Sequence, residues 1–124
     1  MRDYKKLDVW KKAHCMYLYI KKNIAIKLPK EERYELTSQL QRAALSVPLN
    51  IVEGCGRFTD KDFANFLDNS LGLVNETDYC CFAAFELNYI TREDYDIINK
   101  QINEVRAMLI TFLKFLRKEQ REEG

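Results

Sequence analysis

Long apolar runs are absent from this chain, and residues of tight turns are few. No stretch approaches the ~20 consecutive apolar residues that span a bilayer, so no membrane helix is expected. Four Gly and two Pro in 124 residues are too few for a sheet protein built on many tight turns. With His14 the one histidine, the paired Glu-x-x-His motifs of a di-iron bundle cannot be assembled. A net charge of +1 gives no overall attraction to nucleic acid. The start, Met1-Arg2-Asp3-Tyr4-Lys5-Lys6, is charged with no apolar stretch behind it. It does not read as a secretory signal, and a cytoplasmic protein is expected. In that reducing setting Cys15, Cys55, Cys80 and Cys81 read as small apolar residues rather than a disulfide framework. A chain this long buries roughly two-thirds of its unfolded surface and needs no metal or disulfide to hold a core.

What is present is helical periodicity. In the first segment, about Asp8 to Lys27, Trp10, Ala13, Tyr17, Ile20 and Ile24 step by three or four and share one face. Asp8 is the expected N-cap, and Leu28-Pro29 ends the segment. The second runs from about Lys30 to Val52 or Glu53, with Leu36, Leu40, Ala43, Val47 and Ile51 as its apolar stripe. Glu31 and Glu32 are expected in its first turn, and Pro48 at a kink. Gly54 and Gly56 are expected to stop it through left-handed backbone angles. The third, about Asp60 to Asn88, follows Thr59 as N-cap and carries Phe63, Phe66, Leu67, Ser70, Val74, Thr77, Cys81, Ala84 and Leu87 inward. The fourth opens with Thr91-Arg92-Glu93-Asp94, a capping-box pattern, and continues through Tyr95, Ile98, Ile102, Val105, Leu109, Phe112, Leu113 and Leu116. Four such segments with short breaks predict an all-α fold, an antiparallel up-down-up-down four-helix bundle. One domain over residues 1–124 is expected, with a frayed polar end from Lys118 to Gly124.

Little chemistry emerges from spacing. Cys80 and Cys81, like His14 and Cys15, are neighbours that diverge by about 100° on a helix, so no metal site is expected. Gly54-Cys55-Gly56-Arg57 lacks the Lys-Ser/Thr of a phosphate loop. Glu53 and Glu76 are the one carboxylate pair that could meet between helices two and three. No cofactor and no catalytic activity are expected.

Two surface patterns stand out. Gln39, Arg42, Ser46, Asn50 and Glu53 form a polar stripe on helix two, matched by Asn65, Asn69, Gly72 and Glu76 on helix three. Short hydrogen-bonding groups with a glycine for close approach suit a contact between helices, within a subunit or between subunits. An ordinary wet face is the competing reading. The second pattern is charge. Residues 1–33 hold ten Lys/Arg against four Asp/Glu, a net of +6, and the other 91 hold ten against fifteen, a net of −5. Lys11, Lys12, Lys21 and Lys22, with Arg42 added, form a candidate phosphate-binding face, set against the alternative of a solvated one.

The stretch Leu36-Thr37-Ser38-Gln39-Leu40-Gln41-Arg42-Ala43-Ala44-Leu45-Ser46-Val47-Pro48-Leu49-Asn50-Ile51-Val52-Glu53-Gly54 resembles a signature of a bacterial four-helix-bundle family. Members are named for proteins encoded in intervening sequences of 23S ribosomal RNA genes. Leu7 to Ala13, Pro29 to Tyr34 and Phe66 to Glu76 are similar as well, so the resemblance covers roughly residues 4–115. Gln41 departs from a basic residue of the family pattern, Val52 from Ala, and Leu73 from Ser. The Gln41 departure weakens a phosphate-binding role for helix two. The resemblance implies a non-enzymatic bundle that assembles into a homopentamer. It also implies kinship to an accessory protein of diversity-generating retroelements, with RNA or DNA and a reverse-transcriptase-like protein as partners. Two functional readings follow. One is an oligomeric interaction module serving as a nucleic-acid or ribonucleoprotein accessory factor. The other is a protein-only scaffold or regulator with no nucleic-acid contact.

Overall fold

The computed structural model describes residues 1–123. They form helices α1 (Asp8–Tyr19), α2 (Leu36–Cys55), α3 (Asp60–Glu86) and α4 (Arg92–Glu123), with short helical turns at Tyr4–Lys6, Ala25–Lys27 and Lys30–Glu32. Helices adjacent in sequence run antiparallel. As α2 is followed from Gln39 through Val47 to Gly54, its partners on α3 fall from Glu76 through Ser70 to Phe63. Likewise Asp68 and Asp78 of α3 meet Arg117 and Arg106 of α4. α1 packs on α2 and on α4, which closes the four-helix bundle.

The apolar stripes converge as the periodicity requires. Met16, Ile20, Leu40, Ile51, Phe63, Leu67, Ile98, Ile102, Leu109 and Leu116 are fully buried in one core. Burying one such side chain contributes about 1.5–3 kcal/mol toward offsetting chain entropy.

Caps set the ends where local chemistry provides them. Thr59 Oγ1 accepts from the Asp62 amide at 3.1 Å and starts α3. The Thr91 and Asp94 side chains each accept from the other's amide at 3.1 Å, a reciprocal capping box at the start of α4. α3 ends on Asn88 at φ 63°. There the Tyr89 amide donates to the Ala84 carbonyl and the Asn88 amide to that of Phe85, both at 2.9 Å. This pairing satisfies carbonyls that would otherwise be open, and asparagine tolerates the left-handed angle better than most residues.

Four expectations are corrected. Asp8 is not a cap: Leu7 holds that position without a side-chain bond, and Asp8 lies in the first turn. The first segment is not one regular helix. After Tyr19 it widens into a π-helical turn, Ile20–Ile24, then tightens before Leu28-Pro29. A regular helix would swing Ala25 about 140° from Ile20. The wide turn, with the Ala25 amide bonded to the Ile20 carbonyl, keeps Ile20, Ile24 and Ala25 all buried. Glu31 and Glu32 occupy their own short turn, and α2 begins only at Leu36. Gly54 and Gly56 do not use left-handed angles. Gly54 lies inside α2, where a Cβ would come within 2.8 Å of the Phe63 ring and 3.0 Å of Phe66 Cβ. It is small so that α3 can approach.

Pro48 is buried inside α2, which continues as one helix to Cys55. α4 is helical to Glu123, through the segment expected to fray, and Gly124 lies outside the described residues.

Candidate functional site

The two halves of the bundle surface differ. At the α2/α3 seam, the Ser70 hydroxyl donates to the Val47 carbonyl at 2.6 Å inside the core. Gln39 donates to Glu76 at the rim of the same seam. At the α1/α4 seam the helices leave a groove of about 550 Å3 lined mainly by Leu7, Val9, Met108, Phe112 and Phe115. Phe115 is 55% exposed there. Asp8 and Met108 also border a second stretch of about 620 Å3, toward Lys11, Lys12, Cys15 and Glu104. One groove therefore runs along the seam, apolar at one end and charged at the other.

The polar stripe is only partly an inter-helix contact. Gln39 and Glu76 join α2 to α3, but the Ser46 hydroxyl donates to the Arg42 carbonyl and the Asn50 amide to the Ser46 carbonyl, each at 2.8 Å within α2. Glu53 lies 3.8 Å from Arg57 on its own side, and Asn69 is exposed. Gly72 meets nothing within 4 Å, so it does not serve close approach inside this chain. The seam places Glu76 opposite Gln39. Glu53 lies fourteen residues further along α2, about 21 Å by helical rise. The suggested carboxylate pair is not formed.

The lysines of α1 spread around its outer surface. Lys12 leans on α4 toward Glu104 at 3.4 Å, and Lys21 leans on α2 toward Gln41 at 3.2 Å. Lys11 lies 3.9 Å from Asp8, while Lys22 is exposed with no side-chain partner among the described residues. Arg42 is exposed on α2. Lys12 and Lys21 thus lean to opposite sides of the first segment, and the cations do not converge on one point.

The candidate residues for metal binding or catalysis do not come together among the described residues. His14 stacks on Trp10 with rings 4.9 Å apart. It makes no side-chain hydrogen bond with another described residue. The cysteines are free. Burial pushes the Cys55 and Cys80 thiols up and the Cys81 thiol up to about 12, away from reactive thiolate. Cys15, expected among the apolar residues, is exposed, and so is Leu87, expected on the inner face of α3 but placed at its C-cap. No group of three or more His, Cys, Asp or Glu among the described residues could hold a metal ion. No helix of the described residues is long and apolar enough to cross a membrane.

Phe115 lies about 100° from Leu116 and about 200° from Leu113, and Met108 about 100° from Leu109, so a period of 3.6 sets both off the core stripe. That they border an open α1/α4 seam depends on the facing helix and carries no signal in periodicity.

The architecture has known counterparts. A crystal structure of a protein of unknown function from the S23 ribosomal protein family of Bacteroides thetaiotaomicron VPI-5482 superposes with a TM-score of 0.78 at 31% identity. The match covers 86% of this chain and 98% of that one. No curated protein matches. The model of the family described as 23S rRNA-intervening sequence protein matches residues 5–111. Nearly the whole bundle lies inside that match, and the chain belongs to the 23S rRNA-intervening sequence protein family.

Proposed function

We propose that this chain is a non-enzymatic oligomeric interaction module and that the α1/α4 groove is its association surface. The observation that carries this is the apolar end of the groove, where Phe115 stands 55% exposed beside Leu7, Val9, Met108 and Phe112. Covering that patch removes apolar area from water at about 25 cal/mol per Å2. The occupant is a second copy of the chain. The outward face of α2, across the bundle from α4, exposes Leu45 and Leu49, an apolar ridge that each copy supplies. Contact between two unlike faces is heterologous, and it closes into a ring when the rotation per copy divides a full turn. The homopentamer implied by the sequence resemblance is such a ring.

Native mass spectrometry of the wild type and of Met108→Asp tests this. The wild type should give one closed oligomer, and the variant should lose it while keeping its helical circular dichroism. A monomeric wild type, or a variant that assembles like it, would sink the proposal.

A second reading is favoured by the exposed lysines around α1. Repeated in an oligomer, Lys11, Lys12, Lys21 and Lys22 would add their charge against RNA or DNA phosphates. Lys11, Lys12 and Lys21 already have polar neighbours, so a single copy should bind weakly. Fluorescence anisotropy with single-stranded RNA should show binding that falls with salt and with the four lysines changed to Glu. Binding indifferent to both would return the chain to the protein-only reading.

A further inference from the structure

The end of α4 reads in the sequence as a polar tail, but in the structure it forms a continuous cationic face. Lys114, Arg117, Lys118 and Arg121 lie three, four and seven residues apart on an unbroken helix, which places them on one side. They border a separate groove of about 610 Å3 between α3 and α4, whose apolar lining is Leu71, Ile110 and Leu113. Arg117 reaches across to Asp68. Lys114, Lys118 and Arg121 have no ion pair with another described residue.

Three properties point to one kind of occupant. The groove lies between two antiparallel helices, so its course is straight and suits a third helix packed by ridges in grooves. The cations extend over about 10 Å along α4, two turns of helix, and call for a row of anionic groups. The apolar lining is aliphatic. Bases of single-stranded nucleic acid would find no ring to stack on, whereas leucine-like side chains would be covered.

We propose that the α3/α4 groove docks an acidic amphipathic helix of a partner protein. Its apolar stripe lies on Leu71 and Ile110, and its carboxylates meet Lys114, Lys118 and Arg121. This surface is distinct from the α1/α4 groove and does not depend on self-association.

The probe is a fluorescent synthetic helix of roughly twenty residues, long enough to be helical in water, with Leu on one face and Glu elsewhere. Anisotropy titrations compare it with a scrambled peptide of equal composition and with single-stranded RNA as competitor. The wild type should bind the ordered helix at least about tenfold more tightly than the scrambled one. Lys114→Glu/Lys118→Glu/Arg121→Glu should weaken binding by about tenfold or more, since each contact changes from attraction to repulsion. Leu71→Ser should weaken it too, and Met108→Asp, on the other groove, should leave it unchanged. Lys118→Gln/Arg121→Gln keeps the test intact if the reversed variant does not fold. No binding by the wild type, or equal binding of the scrambled peptide, would overturn the proposal. So would displacement by RNA at matching concentration, or a folded triple variant that binds like the wild type.

Discussion

The α2/α3 seam and the α1/α4 seam belong to one bundle, yet one is closed and the other open. At the first, Gly54 lets the Phe63 ring press against the α2 backbone, and Ser70 satisfies a carbonyl across the contact. At the second, Phe112, Phe115 and Met108 line a groove left between α1 and α4. The difference teaches where this fold places stability and where it leaves room to recognise. A close-packed contact gains dispersion along its whole length and has no surface to offer. An open one keeps apolar area available.

The sharpest way to break that contrast is Phe63→Ala. Phe63 is fully buried and edge-on to Phe112 at 5.3 Å, so its loss should cost about 3–5 kcal/mol in a chemical denaturation. Leu40→Ala and Ile102→Ala test the same core from α2 and α4, where both side chains are fully buried. Each should cost about 2–5 kcal/mol, and a melt unchanged at either position would mean the helical phases are wrong. Thr91→Ala removes half of the α4 capping box and should cost about 1 kcal/mol, seen as a lower Tm. The fourth prediction concerns pH. Lys27 donates to Asp94 at 2.7 Å, and with the Thr91 bonds this holds the Asp94 carboxyl below its usual range. A carboxylate favoured in the folded state adds stability above its unfolded pKa of about 3.9, and that share is lost as pH falls through the lower folded value. Asp94→Asn should therefore lower Tm at neutral pH and bring the two Tm curves together at the acid end. The smallest effect is expected at the open seam. Met108→Ala should move Tm little, because the side chain is only half-buried, while altering assembly.

Features that depend on a few neighbouring residues were legible in the sequence. The cap at Thr59 and the box at Thr91 are local hydrogen-bond patterns, and the stripes through Leu40, Leu67 and Ile102 follow from helical pitch alone. Features that depend on what lies across a contact were not. Gly54 and Gly72 look alike in sequence. One faces Phe63 at a distance no side chain fits, and the other faces open space. Ser46 and Asn50 suggested a bridge between helices but turn to carbonyls of their own helix, a choice that spacing does not encode. The π-helical turn at Ile20–Ile24 arises because three apolar residues must face the core at once. The cationic face of α4 is masked along the chain because Phe115, Leu116, Glu119 and Gln120 lie between its members, and it forms only when the helix is wound.

The contact at Gly54 also constrains how this gene can drift. Every amino acid other than glycine brings a Cβ, and here that atom would meet the Phe63 ring at 2.8 Å and Phe66 at 3.0 Å. Position 54 is therefore not free to vary alone. A smaller residue at 63 removes the ring contact and leaves a void beside position 54, while Phe66 Cβ still limits what enters it to a small side chain. Among relatives, the two positions should trade volume, so that the helix spacing is inherited as a pair of residues rather than as either one.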